Sequence, residues 1–94
     1  MAHRIVWSRR AAQDLGSIAD YIAQDSPAYA SIVVKTIISQ TRTLFRFPRS
    51  GRKVPEFDDE DIRELIAYSY RIIYRVKRDE ILIAAVIHGK RALY

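Results

Sequence analysis

The chemistry-bearing residues of this chain are one imidazole at the end of an apolar run, a scatter of arginines and a short acidic stretch. His88 follows Ile81 to Ile87 and precedes Gly89, Lys90 and Arg91. An imidazole titrates near neutral pH, so His88 can serve as a general base towards a hydroxyl. The plainer alternative is a strand-end histidine bonded to nearby backbone, because no carboxylate stands obviously placed to orient its ring. His3 is the second of the two histidines. Arg71 and Arg75 alternate along one strand and can hold an anion bidentately, or pair with a neighbouring-strand acid. Glu64 is the obvious mate for Arg71. Arg49, Arg52 and Lys53 follow the second helix and suit an acidic partner. Lys35, Arg42, Arg46 and Arg49 fall at helical spacing and suit a solvated helix face. The run Asp58, Asp59, Glu60, Asp61 reads as a solvated loop, since consecutive acids cannot all point at one ion. No glycine-rich phosphate loop, zinc spacing or nucleophile elbow is present, so no metal or cofactor is expected.

These residues need elements to position them. Arg4 to Ser8 reads as a short strand, with Ile5 and Trp7 on one face. Ser8 then caps a helix whose stripe is Ala11, Leu15, Ile18 and Ile22, widened by Ala12, Ala19 and Tyr21. Ser26 and Pro27 restart a second helix, with Ala30, Val34, Ile37, Thr41 and Leu44 on one stripe and Val33, Ile38 and Phe45 beside it. Phe47-Pro48-Arg49-Ser50-Gly51 ends it. Three strands follow, at Arg63 to Ile66, Tyr70 to Lys77 and Ile81 to Ile87. Alternation puts Tyr70, Ile72, Tyr74 and Val76 under the helices, and turns Arg71, Ile73, Arg75 and Lys77 outward. Ile81 to Ile87 is apolar on both faces, which suits a central strand. Tyr70 and Tyr74 read as core; Tyr68 falls in the turn and is expected to be exposed. The order is β-α-α-β-β-β: an α+β fold with a twisted antiparallel sheet and an N-terminal helical hairpin on one face.

A chain of 94 residues makes one small domain, 1–94. A net charge of +5 and a sequence pI near 9.8 favour an acidic partner. The chain holds no cysteine, which excludes a disulfide framework. No secretory signal and no membrane-spanning run are visible, so a soluble cytoplasmic protein is expected.

The ordered pieces Trp7-Ser8-x-x-Ala11, Asp14-Leu15, Ile18, Tyr21-Ile22-Ala23, Leu44, Phe47-Pro48, Ser50-Gly51-Arg52, Arg63-Glu64-Leu65, Tyr70 to Val76 and His88-Gly89-x-Arg91 carry a family resemblance. Together they resemble the RelE/ParE toxins of bacterial type II toxin–antitoxin pairs, over essentially the whole chain. The resemblance implies a toxin neutralised by a cognate antitoxin, in a hetero-oligomer. RelE-like members of that superfamily are ribonucleases that cut messenger RNA in the ribosomal A site; ParE-like members are reported to poison DNA gyrase. The nuclease branch places an arginine shortly before the Tyr-Arg strand, where this chain has Ile66-Ala67-Tyr68-Ser69, and uses a residue on a C-terminal extension, for which Tyr94 leaves no room. His-Gly-x-Arg is common on the ParE side. The expectation is therefore a ParE-like plasmid-stabilisation toxin with no catalytic residues, inhibiting DNA gyrase and touching DNA only through its antitoxin. If it is a ribonuclease, or a relic that only binds its antitoxin, then His88, Lys90 and Arg91 are the catalytic candidates in the first case. The partner-binding candidates are Arg71, Arg75, Arg49, Arg52 and Lys53.

Overall fold

The computed structural model describes residues 3–91. Strand β1 (Arg4–Trp7) leads into helix α1 (Arg9–Ala23) and helix α2 (Pro27–Arg42), which ends in a 3-10 turn, Thr43–Phe45. Then come β2 (Arg52–Lys53), β3 (Ile62–Ala67), β4 (Tyr70–Val76) and β5 (Glu80–His88). Both helix starts follow their local chemistry. The Ser8 Oγ accepts from the Ala11 amide at 3.0 Å, and the Ser26 Oγ accepts from the Tyr29 amide at 3.1 Å, with Pro27 pre-set at the first helical position.

The strands form one five-stranded sheet in the order β1-β5-β4-β3-β2. The α+β arrangement stands as expected, with two corrections inside it. The sheet is mixed, because β1 runs parallel to β5 while the other pairs are antiparallel. The connection between β1 and β5 runs through both helices, β2, β3 and β4, far longer than the crossover of about a dozen residues that a parallel pair requires. A fifth strand, β2, is only two residues long and pairs with Glu64 and Arg63 at the sheet edge.

The helices bury Ala11, Val33, Ile37 and Leu44 against Ile72, Tyr74, Val76, Ile81, Ile83 and Val86. The β5 contributions shift by one residue between Ile83 and Val86. A bulge causes this: Ile73 pairs with Ala85, but Tyr74 pairs with Ile83. The start of α1 stitches the bulge. Ser8 donates from its backbone amide to the Ile83 carbonyl at 2.9 Å and from its hydroxyl to the Ala84 carbonyl at 3.1 Å, and Asp14 accepts from the Val86 amide at 3.0 Å. Two aromatics expected to widen the helical stripes do not: Tyr21 is 71% exposed and Phe45 is 48% exposed. Tyr21 lies at the rim of α1, and Phe45 falls in the 3-10 turn, where the 3.6-residue period no longer applies.

The second sheet face is not open as alternation predicted. Val54, Ile73, Ala85 and Ile87 form a smaller buried cluster there, with Ile62 packed against it. The segment between β2 and β3 crosses this face as a strap, carrying Val54 and Glu56.

Candidate functional site

Beneath the strap lies the strongest electrostatic feature. Arg71 is 5% exposed, contrary to its expected outward position. Its guanidinium donates to both Glu56 carboxylate oxygens at 2.7 Å, to Glu64 Oε1 at 2.6 Å and to the Arg91 carbonyl at 2.9 Å. Glu64 itself is buried and also takes a short bond from Arg52. The expected Arg71–Glu64 pair is thus present, but Glu56 completes it. The Glu56 and Glu64 carboxylates hold the guanidinium above even its usual high range, against the opposing effect of burial. Two arginines and two glutamates balance, and a buried charge is tolerated only when paired in this way. Glu56 was missed in the sequence because it is 15 residues from Arg71 and shows no periodicity with it.

The other four partner-binding candidates also meet acids of their own chain. Arg49 donates to Asp61 at 2.7 Å and to the Glu60 carbonyl at 2.9 Å. Lys53 bridges Asp58 at 3.2 Å and Glu60 at 3.7 Å, and Asp58 foremost holds its ammonium above the usual range. Arg52 meets Glu64, and Arg75 lies 3.8 Å from Asp59. The acidic run is therefore a row of counter-charges and not only a solvated loop. The pairs that Arg49, Lys53 and Arg75 make with the acidic run are exposed on both sides and individually weak, so a partner can displace them at little cost, whereas Arg52 meets the buried Glu64 carboxylate.

His88 ends β5 at the corner where β4 begins. Its Nδ1 accepts from the Lys90 backbone amide at 3.3 Å, and its ring stands edge-on to Tyr70 with centroids 6.0 Å apart. These contacts are with a main-chain amide and a phenol ring, not with a carboxylate. A hollow of about 310 Å³ opens here between Arg52, Ile66, Tyr68, Arg71, His88 and Lys90. Lys90 and Arg91 are exposed beside it. The structure thus brings His88, Lys90, Arg71 and Arg52 to one hollow, and leaves Arg49, Lys53 and Arg75 with the acidic run. Among the described residues, no three histidine, aspartate or glutamate side chains converge as metal ligands do.

Tyr68 is exposed in the β3–β4 turn, as expected, and adopts φ 55°, the one non-glycine positive φ among the described residues. Its ring meets Tyr29 edge-on, and its hydroxyl lies 3.4 Å from that of Thr36. Tyr74 is buried, and its hydroxyl accepts from the Gly51 amide at 2.9 Å.

Comparison with known proteins agrees with this architecture. The family model for the ParE toxin of the type II toxin–antitoxin system parDE matches residues 5–93. The chain is 32% identical over 89 residues to Toxin RelE2 of Caulobacter vibrioides, covering 94% of this chain and 97% of that protein. It is similar to a solved structure described as the chromosomal ParDE TA system from P. aeruginosa, with a TM-score of 0.77 and 27% identity over 95% of this chain and 98% of that one. The matched stretch runs from β1 through the buried arginine cage to the His88 corner, and on it the chain belongs to the ParE toxin family of type II toxin–antitoxin systems.

Proposed function

We propose that this chain is a toxin that acts by binding a protein target, DNA gyrase, and that a cognate antitoxin holds it inactive. The observation that carries this reading is the state of the groups at the His88 corner. The His88 Nδ1 is taken by a main-chain amide, and Arg71 is locked by Glu56 and Glu64. A ribonuclease corner needs a base oriented towards the ribose hydroxyl and a cation available to the phosphate. Here the base is oriented by its own backbone, and the nearest buried cation is already neutralised. The chain works as one domain in the cytoplasm and reaches DNA only through the antitoxin.

Messenger RNA cleavage is the rival reading. It is favoured by Lys90 and Arg91 standing exposed beside His88, and by the RelE2 relative. Expression in cells separates the two. A DNA-damage response with intact transcripts supports the gyrase reading. Transcripts cut at ribosomal A sites, with cutting lost in His88→Ala, would replace it with the nuclease reading.

A further inference from the structure

Arg46, Lys77 and Arg78 take part in no ion pair among the described residues, unlike the arginines and lysine of the loop. They line one hollow of about 720 Å³, with Arg49, at the end of the sheet opposite His88. Its two walls are the turn after α2, carrying Arg46 and Arg49, and the β4–β5 turn, carrying Lys77 and Arg78. Phe47, 63% exposed, and Pro48 supply an apolar floor. At its edge the Nδ1 of His3 is buried and has no hydrogen-bond partner among the described residues.

We infer that this hollow is where an acidic segment of the antitoxin docks, seating one apolar side chain on Phe47 and Pro48 while its carboxylates meet Arg46, Lys77 and Arg78. The inference rests on membership of the toxin family, which supplies the antitoxin; the hollow itself supplies the place. An apolar centre ringed by charge is the anatomy of a protein interface. A nucleic-acid strand asks for something else, a run of aromatic faces on which successive bases stack. Phe47 is the single exposed ring lining this hollow. The net charge of +5 adds long-range attraction for an acidic segment.

The test uses this chain and its full-length cognate antitoxin, titrated by calorimetry at two salt concentrations. Arg78→Glu and Arg9→Glu change the net charge equally, but Arg9 lies on α1, away from the hollow. Arg78→Glu should weaken binding at least tenfold, Phe47→Ala at least fivefold, and Arg9→Glu less than threefold. All three positions are exposed, so the variants should keep the wild-type far-ultraviolet spectrum. Equal losses in Arg78→Glu and Arg9→Glu would overturn the assignment, because charge would then act only at long range. Tighter binding of a single-stranded 20-nucleotide DNA than of the antitoxin, lost in Arg78→Glu, would overturn it in favour of nucleic acid. Absence of any antitoxin binding by the wild type would overturn the antitoxin reading together with the docking site, whereas the first two results overturn the docking site alone.

Discussion

Removing the Arg71 guanidinium should be among the most destabilising single substitutions in this fold. Counting side chains alone, Glu64 is fully buried, Arg71 is 7% exposed and Glu56 is 10% exposed. Arg71→Ala deletes four hydrogen bonds and leaves two carboxylates short of a cation. Breaking a buried pair by removing one partner costs about 3–5 kcal/mol. Glu64 keeps Arg52, whose side chain is 62% exposed and therefore well screened, so the loss should sit near the lower end, about 3 kcal/mol. A domain of 94 residues has about 5–14 kcal/mol of stability in all, at roughly 0.05–0.15 kcal/mol per residue. The midpoint temperature should fall by about 12 °C or more. Urea unfolding followed by circular dichroism measures the loss directly, provided the m-value is unchanged. The combined variant Arg71→Met with Glu64→Gln removes one charge of each sign, so its loss should be smaller than the sum of the singles by about 1–3 kcal/mol. A loss below about 1 kcal/mol for Arg71→Ala, with strict additivity in the combined variant, would refute a desolvated cage.

Further consequences follow from Gly51 and Tyr74. A Cβ added at Gly51 would stand 2.5 Å from the Glu64 carbonyl oxygen and 2.6 Å from the Tyr74 hydroxyl, so Gly51→Ala should cost about 1–3 kcal/mol, read by the same unfolding experiment. Burial holds the Tyr74 phenol above its usual range, opposed by the Gly51 amide that donates to it. The folded state thus keeps this proton longer than the unfolded chain does. Its contribution is fully present below the ordinary tyrosine range, near pH 10, and is lost as pH rises through the higher folded value. Phenolate absorbance should show one tyrosine ionising late, and Tyr74→Phe should abolish that late component.

Much of the frame was legible because it rests on local chemistry. Ser8 and Ser26 mark the helix starts, and the stripes Ala11-Leu15-Ile18-Ile22 and Ala30-Ile37-Thr41-Leu44 mark the faces turned to the core, although Val33 and not Val34 is the buried valine between them. What escaped was long-range. The parallel pairing of β1 with β5 depends on how the chain returns after more than 70 residues, and strand alternation carries no sign of direction. The bulge at Ala84 interrupts alternation without any glycine or proline to announce it. Alternation correctly placed Arg71 on the face away from the helices, but equated that face with solvent. The strap carrying Val54 and Glu56 covers it, and a strap has no period to read. The candidate site shifted for the same reason: pairing with Asp58, Asp59, Glu60, Asp61 and Glu64 occupies the expected cations, and the hollow of Arg46, Lys77 and Arg78 joins two turns distant in sequence.

The claim that the chain acts by binding is tested most directly with purified components. DNA supercoiling by gyrase should be inhibited in proportion to added protein, and on the proposed binding mode inhibition by His88→Ala should stay within about threefold of wild type, since the contacts it would lose are those with the Lys90 amide and the Tyr70 ring. Undiminished supercoiling by gyrase, together with wild-type cleavage of messenger RNA on translating ribosomes that His88→Ala slows ~100-fold, as loss of a general base would, would contradict it.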